Sequence, residues 1–352
     1  MERGSETLGA ARREELRTRV DAVLRNFLAG HRRALAEADP DAATLIDELD
    51  RVIGAGGKRL RPLFCYWGYR AGGGSDGDGI VRAAASLELL HTFAIIHDDV
   101  MDRSSLRRGQ PATHVALAVG GDAHTGMSAA ILAGDLAVVL SDELFRDAGF
   151  PPEAFMAGSS WYNRMRAEVV AGQYLDLIAA RGAPDEATVR RVARLKSGGY
   201  TVEKPVLIGA ALAGASPDAE AMLSSYGIAL GEAFQIRDDV LGAFGDPVTT
   251  GKDADGDLRE GKRTLLVVRA LAAAAPSDRA FMEGHLGRAD LSPDGAERIR
   301  EIIRASGALE QTSQTIDELR TRALASLDGA AIPNEALAAL RELAERAVTR
   351  TS

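Results

Sequence analysis

The sequence contains one cysteine, Cys65, in 352 residues. That excludes a disulfide within the chain and a cysteine-based zinc cluster. No H-x-x-x-H spacing occurs, so the helix-borne histidine pair of a zinc site is missing as well. Aromatic residues are only 5% of the total while alanine is abundant, which favours close-packed helices over a sheet. No run alternates at period two for long enough to make a convincing strand, and no solenoid repeat is present. The most apolar stretches, Met127–Leu140 and Thr264–Ala275, are broken by Asp135 and Arg269. Neither reaches the ~18 unbroken apolar residues of a membrane span. The first twenty residues are charged and carry no apolar core, so no signal peptide is expected. With a net charge of −9, the chain lacks the broad basic surface that nucleic acid requires. An anionic small molecule is compatible if the basic residues are focused locally. A cytoplasmic protein without nucleic-acid partners or a membrane span is expected.

What is present is apolar residue in quantity, 46% of the chain, enough for a large core. Residues 1–15 read as a flexible tail, and 16–352 as one all-helical domain. Leu16, Val20, Val23, Leu24, Phe27 and Leu28 recur at spacings of three and four, the mark of an amphipathic helix. Further helical runs are expected at 43–53, 62–70, 80–102, 127–145, 153–178, 186–200, 206–213 and 219–241. Ser216 and Pro217 suit the cap and first position of the last of these. Five more runs carry the pattern from Lys262 to Thr349. The stretch 242–261, rich in Gly, Asp and Lys, is a long loop, and loops of that length are usually functional.

Two of these helices end in acid. Leu89–Asp102 is an apolar helix whose last turns carry Asp98, Asp99 and Asp102, with Asp98 and Asp102 stacked as i,i+4 partners. Carboxylates at a helix C-terminus repel the helix dipole and each other. Such a group calls for an external cation, and oxygen-only ligands suit Mg2+ bridging to phosphate. Gly231–Gly242 repeats the grammar with Asp238 and Asp239, and Gln235 shares the Asp238 face. Cations lie in short glycine-bearing segments: Lys58, Arg61, Arg107, Arg108, Lys204, Lys252 and Lys262. Alone, each would be a solvated surface residue. Together with two acidic helix ends they suit a metal–diphosphate site. Of the histidines, His97 and His114 read as structural, whereas His91 lies seven residues before Asp98 on the same face.

The segments GGKRLRP (56–62), HDDVMDRSSLRRGQPATH (97–114), AILAGD (130–135), GQYLDL (172–177), FQIRDDVLGAFGDP (234–247) and GKDADGDLREGKRT (251–264) occur in one order. In that order they resemble the trans-isoprenyl diphosphate synthases, the polyprenyl synthetase family. YTVEKPVLIGA (200–210 region) is most similar to short-chain, geranylgeranyl-type members from actinobacteria. The resemblance implies an all-α isoprenoid-synthase fold, one large bundle around a deep central cavity with the two acidic ends at its mouth, and a homodimer. It implies Mg2+, three ions per active site, on Asp98, Asp102 and Asp238, with Asp99 and Asp239 in support. Arg107, Lys204, Lys252 and Lys262 would hold an allylic diphosphate (dimethylallyl, geranyl or farnesyl). Gln173, Asp176 and Gln235 would line the reacting centre. Lys58, Arg61, His91 and Arg108 would hold isopentenyl diphosphate without metal. The diphosphate would depart from the allylic carbon, isopentenyl diphosphate would attack the cation, and a proton would be lost.

Phe93 and Ala94, just before the first motif, resemble the pattern of twenty-carbon producers, so geranylgeranyl diphosphate is the expected product. A farnesyl or longer-chain synthase, a class I terpene cyclase and a non-catalytic subunit are the alternatives. The cationic set at 58, 61, 91 and 108 stands against a cyclase, and the two intact motifs stand against an inert subunit. Two positions depart from the family. Gly242 stands where many members carry a third aspartate, and Pro205 where many carry threonine after the lysine.

Overall fold

The computed structural model describes residues 2–180, 182–245 and 255–349, with side chains from Ala11 onward. It is 81% helical, an all-α fold. Among the described residues the only β-structure is a ribbon pairing Leu106–Arg107 with Gln110–Pro111. The chain divides into two compact units: Met1–Gly158 with Ile208–Ala215, and Ser159–Leu207 with Ser216–Ser352.

The first unit contains α1 (Glu2–Ala38), α2 (Ala43–Gly54), α3 (Leu60–Ala71), α4 (Asp78–Asp102), the short α5 (Thr113–Ala116), α6 (Ala123–Arg146) and the start of α7 (Pro152–Ala179). Helix α4 is its axis. Apart from Arg82, Glu88, His91 and its acidic last turn, it is apolar around its circumference, as expected of a helix buried in a core. Ala83, Ala84, Ala85, Leu87, Leu89 and Leu90 are fully buried. On α6, Ala130, Ala133 and Ala137 are likewise fully buried, and small residues on both helices let α4 and α6 pack along each other. Burial of each large aliphatic side chain here stabilises by about 1.5–3 kcal/mol. The polar groups in this seam are satisfied: Ser141 Oγ donates to the Ser86 carbonyl at 2.8 Å, and Ser86 Oγ to that of Ala83 at 2.7 Å.

Two described helices, α4 and α6, are long and apolar enough to cross a membrane by length and composition. The apolar stretch of α4 is 67% buried inside the protein and that of α6 only 33%. Helix α4 is thereby accounted for as core; α6 keeps an uncovered apolar side.

The second unit contains the rest of α7, α8 (Glu186–Ala193), a ten-residue π-helix (Arg194–Glu203), the start of α9 (Lys204–Leu212), and α10 (Pro217–Phe244). Then follow α11 (Gly256–Glu260), α12 (Leu265–Ala273), α13 (Pro276–His285), α14 (Pro293–Ala305), α15 (Ala308–Ser326) and α16 (Asn334–Thr349). Helix α10 is the axis of this unit. Ser216 caps it, its Oγ accepting from the Ala219 amide at 3.2 Å, with Pro217 in the first turn. The fully buried Tyr226 donates its hydroxyl to the Leu340 carbonyl at 2.7 Å, tying α10 to α16.

The structure differs from sequence expectation in three places. Backbone from Glu2 onward is already helical, where 1–15 reads as a tail. Residues 194–203 form a π-helix between two α-helices, where the apolar pattern gives an α-helix ending at Tyr200. Gly198 and Gly231 bring the π-helix and α10 backbone to backbone, with no room for a side chain on either. In the expected 242–261 loop, α10 runs on to Phe244 and α11 occupies 256–260; residues 246–254 of that stretch lie outside the described residues.

Candidate active site

In the first unit the site is built on the last four turns of α4. Eleven residues separate Glu88 from Asp99, so the two lie within ~20° of one another on the helix. Both are buried, 4% and 3% exposed. His91, Asp98 and Asp102 share an adjacent, less buried stripe. Asp99 accepts from Arg107 Nε at 2.9 and 3.2 Å, and Arg107 Nη2 also bonds Asp99 Oδ1. Asp98 stands 3.8 Å from the same guanidinium. Burial raises the Asp99 carboxyl and the Arg107 hydrogen bonds oppose it. Asp99 is thus engaged by arginine, whereas Asp98 and Asp102 are partly exposed. Left-handed Arg103 (φ 55°) ends the helix.

Arg107 belongs to the two-residue ribbon, which turns at Arg108 (φ 53°) and Gly109 (φ 73°). That turn sends Arg108 back to the glycine segment, where its Nη1 donates to the Gly56 carbonyl. A side chain at Gly57 would meet Arg59 Nη1 at 3.1 Å and Arg108 Nη2 at 3.5 Å. Lys58 is exposed and Arg61 half-buried. Burial, then the charges of Arg61, Arg108, Arg107 and Arg59, hold the His91 imidazole well below its ordinary range. At neutral pH it is an uncharged donor and acceptor ringed by cations. The structure therefore brings together Arg61, His91, Arg107 and Arg108. Phe93 meets the His97 ring edge-on, centroids 4.8 Å apart. His97 in turn fills the space over Gly134 and reaches the Ile131 carbonyl at 3.0 Å, a structural role.

In the second unit Asp238 and Asp239 lie near the end of α10. Gln235 Nε2 donates to Asp239 Oδ1 at 2.8 Å. Burial, then the neighbouring Asp257 and Asp238 carboxylates, push Asp239 up to about 8. Asp257 also accepts from Lys262 Nζ at 2.8 Å, and Glu260 lies 3.0 Å from the same lysine. A side chain at Gly242 would collide with Asp257 Oδ2. The place of the absent third acid is therefore taken by a carboxylate from α11. Lys204 is 3% exposed and lies between Glu203 Oε2 (2.6 Å) and Glu168 Oε2 (2.9 Å). Asp176 pairs with Lys196 at 2.6 Å, and Gln173 is on the same helix, α7. Lys252 lies outside the described residues.

Several of these partners escape a reading of the sequence. Glu88 and Glu203 complete buried ion pairs with Arg59 and Lys204, and of those two cations only Lys204 is recognisable in the sequence as a site residue. The only advance signal for Glu88 is an acid inside the apolar run 83–90, which is rarely buried unless paired.

The two units thus present carboxylate helix ends and anion-binding cations on an all-α scaffold, the equipment of an enzyme that handles diphosphates. The polyprenyl synthetase family model matches residues 43–303. A geranylfarnesyl diphosphate synthase from Aeropyrum pernix is 39% identical over 264 residues, 74% of this chain and 79% of that one. A geranylgeranyl diphosphate synthase from Saccharolobus solfataricus is 32% identical, covering 82% of each chain. Among solved structures, a geranylgeranyl pyrophosphate synthase from Corynebacterium glutamicum, complexed with isoprenyl diphosphate and magnesium, superposes with a TM-score of 0.90 at 37% identity. The alignment covers 94% of this chain and 97% of that one. This chain belongs to the polyprenyl synthetase family and is a trans-prenyltransferase with the isoprenoid-synthase fold.

Two outcomes are expected from the second unit. Gly242→Asp should cost about 1–3 kcal/mol of stability through overpacking, with Asp257→Ala in the same chain restoring part of it. Urea denaturation of the single and double variants measures both. The second outcome concerns pH. Folded Asp239 keeps its proton to about pH 8, while the unfolded carboxyl ionises near 3.8. Its contribution is present in full below the unfolded value and is lost as pH rises through the folded one. In metal-free buffer, Asp239→Asn should flatten the fall in thermal midpoint between about pH 4 and 8. Superimposable pH profiles would contradict the assignment.

Proposed function

We propose that this prenyltransferase joins isopentenyl diphosphate head-to-tail to an allylic diphosphate and releases geranylgeranyl diphosphate. The observation that carries the proposal is the gathering of Arg61, Arg107 and Arg108 around an uncharged His91, two turns before Asp98. Arginine forks and a neutral imidazole recognise a second diphosphate that brings no metal. A cyclase has no use for such a set.

The acids suit Mg2+. Asp98, Asp102 and Asp238 offer oxygen ligands only, and Mg2+ is commonly held by one or two carboxylates plus phosphate oxygens. Among the described residues no three His, Cys, Asp or Glu side chains group closely enough to hold a metal ion by themselves. Substrate oxygens would therefore complete the coordination of the three ions proposed. Bound there, Mg2+ supplies positive charge to the departing diphosphate. Arg107 is already oriented by Asp99, and Asp239, protonated up to about pH 8 in the metal-free protein, would support Asp238 by giving up that proton beside bound Mg2+. Lys204 and Lys262 each exchange a carboxylate for phosphate on binding, with Lys252, Gln173, Asp176 and Gln235 completing the allylic site. The carbocation is then attacked by isopentenyl diphosphate, and the released diphosphate takes the proton.

Product length is assigned to Phe93 and Ala94, one turn before Asp98. Phe93 is braced by His97, and Ala94 leaves space beside it. Incubation with isopentenyl diphosphate and each of dimethylallyl, geranyl and farnesyl diphosphate should yield a twenty-carbon product only with Mg2+. No elongated product from any primer would overturn the proposal. Ala94→Phe should shorten the product, and an unchanged chain length would remove the depth argument.

The active form is proposed to be a homodimer. Met127, Ile131, Leu132 and Val139 are each at least 40% exposed on one side of α6. In the second unit Val170, Tyr174 and Ile178 are more than 50% exposed on α7. Contiguous apolar faces of this kind mark interaction surfaces. Sedimentation velocity should find a dimer that Leu132→Glu dissociates; a wild-type monomer at all concentrations would contradict it.

A further inference from the structure

We infer that Arg59, gripped by Asp21 and Glu88, is a positioning residue for isopentenyl diphosphate: it fixes the glycine turn so that Lys58, Arg61 and Arg108 act on one anion. The assignment deepens the proposed reaction and rests on it. Arg59 lies between Lys58 and Arg61, yet its charge is turned inward. It is 6% exposed. Its Nε donates to Asp21 Oδ1 on α1 at 2.8 Å and its Nη1 to Glu88 Oε2 on α4 at 2.8 Å. Its Nη2 donates to the Ile53 carbonyl, near the end of α2, at 2.9 Å. One guanidinium therefore spans three helices, and its five donors are well suited to such a junction.

The backbone shows what this grip achieves. Arg59 is left-handed, φ 50° and ψ 39°, immediately before α3. A non-glycine residue keeps that conformation only where its surroundings over-determine it. Gly54, Gly56 and Gly57 leave the turn free to take many shapes, so the three anchored bonds select one. In the selected shape Gly57 lies against both the Arg59 and Arg108 guanidiniums, and the Gly56 carbonyl accepts from Arg108. Arg108 is thus seated on the turn that Arg59 holds.

Charge balance points the same way. Arg59 carries one positive charge and faces two carboxylates, Asp21 and Glu88. The second negative charge is felt by Arg108, which Glu88 attracts while Arg59, Arg107 and Arg61 repel it. Glu88 is also one turn from His91 on α4. A buried acid at this point lets several cations gather before any phosphate arrives. Arg59 itself touches no substrate in this scheme.

The test uses the full-length enzyme and three changes: Arg59→Lys, Asp21→Asn and Gly57→Ala. The last crowds the Arg59 guanidinium, 3.1 Å from the added carbon, without removing a charge. Steady-state kinetics are measured against each substrate in turn, beside circular dichroism and thermal melting. The expected result is a KM for isopentenyl diphosphate raised about tenfold in each variant. The KM for the allylic substrate and the Mg2+ dependence should stay within about twofold, and kcat should recover at saturating isopentenyl diphosphate. Equal rises in both KM values, a fall in kcat alone, or unchanged kinetics would overturn the assignment. So would unfolding of Asp21→Asn, whose carboxylate side chain is 28% exposed, because the network would then be scaffold for the whole unit. A wild-type enzyme inactive with every primer would instead remove the proposed reaction.

Discussion

The structure depends on keeping opposite charges gathered around one helix from cancelling each other. Helix α4 must present carboxylates at its end and assemble arginines beside its middle, within a few turns. Exposed ions so close would pair off and leave neither function. The solution is a division of faces. Glu88 and Asp99, buried on one stripe, each absorb one guanidinium, from Arg59 and Arg107. Asp98 and Asp102, on the neighbouring stripe, stay more open. Buried pairs of this kind gain little net stability, since desolvation offsets most of the attraction. Their value is orientation.

The second unit meets the same constraint differently. There the cations are held by carboxylates: Lys204 by Glu168 and Glu203, Lys262 by Asp257 and Glu260. Burial, and then the neighbouring Asp257 and Asp238 carboxylates, raise Asp239 to about 8. The π-helix before Lys204 belongs to this arrangement. Its wider turn ends as α9 begins, where Pro205 removes a backbone donor, and its last amide, that of Lys204, reaches back to the Gly199 carbonyl. π-Helical turns inside α-helices are frequent at functional sites, and this one places a buried lysine. The two departures noted at Gly242 and Pro205 thus each have a structural counterpart, the Asp257 carboxylate and the π-helix.

Much of this was legible in the sequence because it is local. Apolar residues at spacings of three and four located the helices, and Ser216-Pro217 located the start of α10. The acidic ends and their lysines and arginines stood in ordered motifs, so the chemistry could be read before the fold. What was hidden is what depends on distant chain. A π-helix has the same local composition as an α-helix, and its setting here is made by distant chain: Gly198 meets Gly231, while Gly172 and Gly227 approach the backbone at 195–196 and 203. Asp99 reads as an acid in support of the metal ligands, and only the fold shows that Arg107 takes it up. The missing acid at 242 is visible in the sequence, but the arrival of Asp257 in its place is not. Residue 59 looks like one more surface cation in a basic loop. Its burial follows from Asp21 and Glu88, 38 and 29 residues away.

The central claim is that two diphosphates are held by different means, one by arginine and a neutral imidazole, the other through metal on the aspartates. Isothermal titration separates them. Isopentenyl diphosphate and a non-ionisable thio-analogue of the allylic substrate are each titrated into the enzyme, with Mg2+ and with excess chelator. Chelation should leave the Kd for isopentenyl diphosphate nearly unchanged and abolish measurable binding of the analogue. Equal loss of both, or retention of both, would contradict the account.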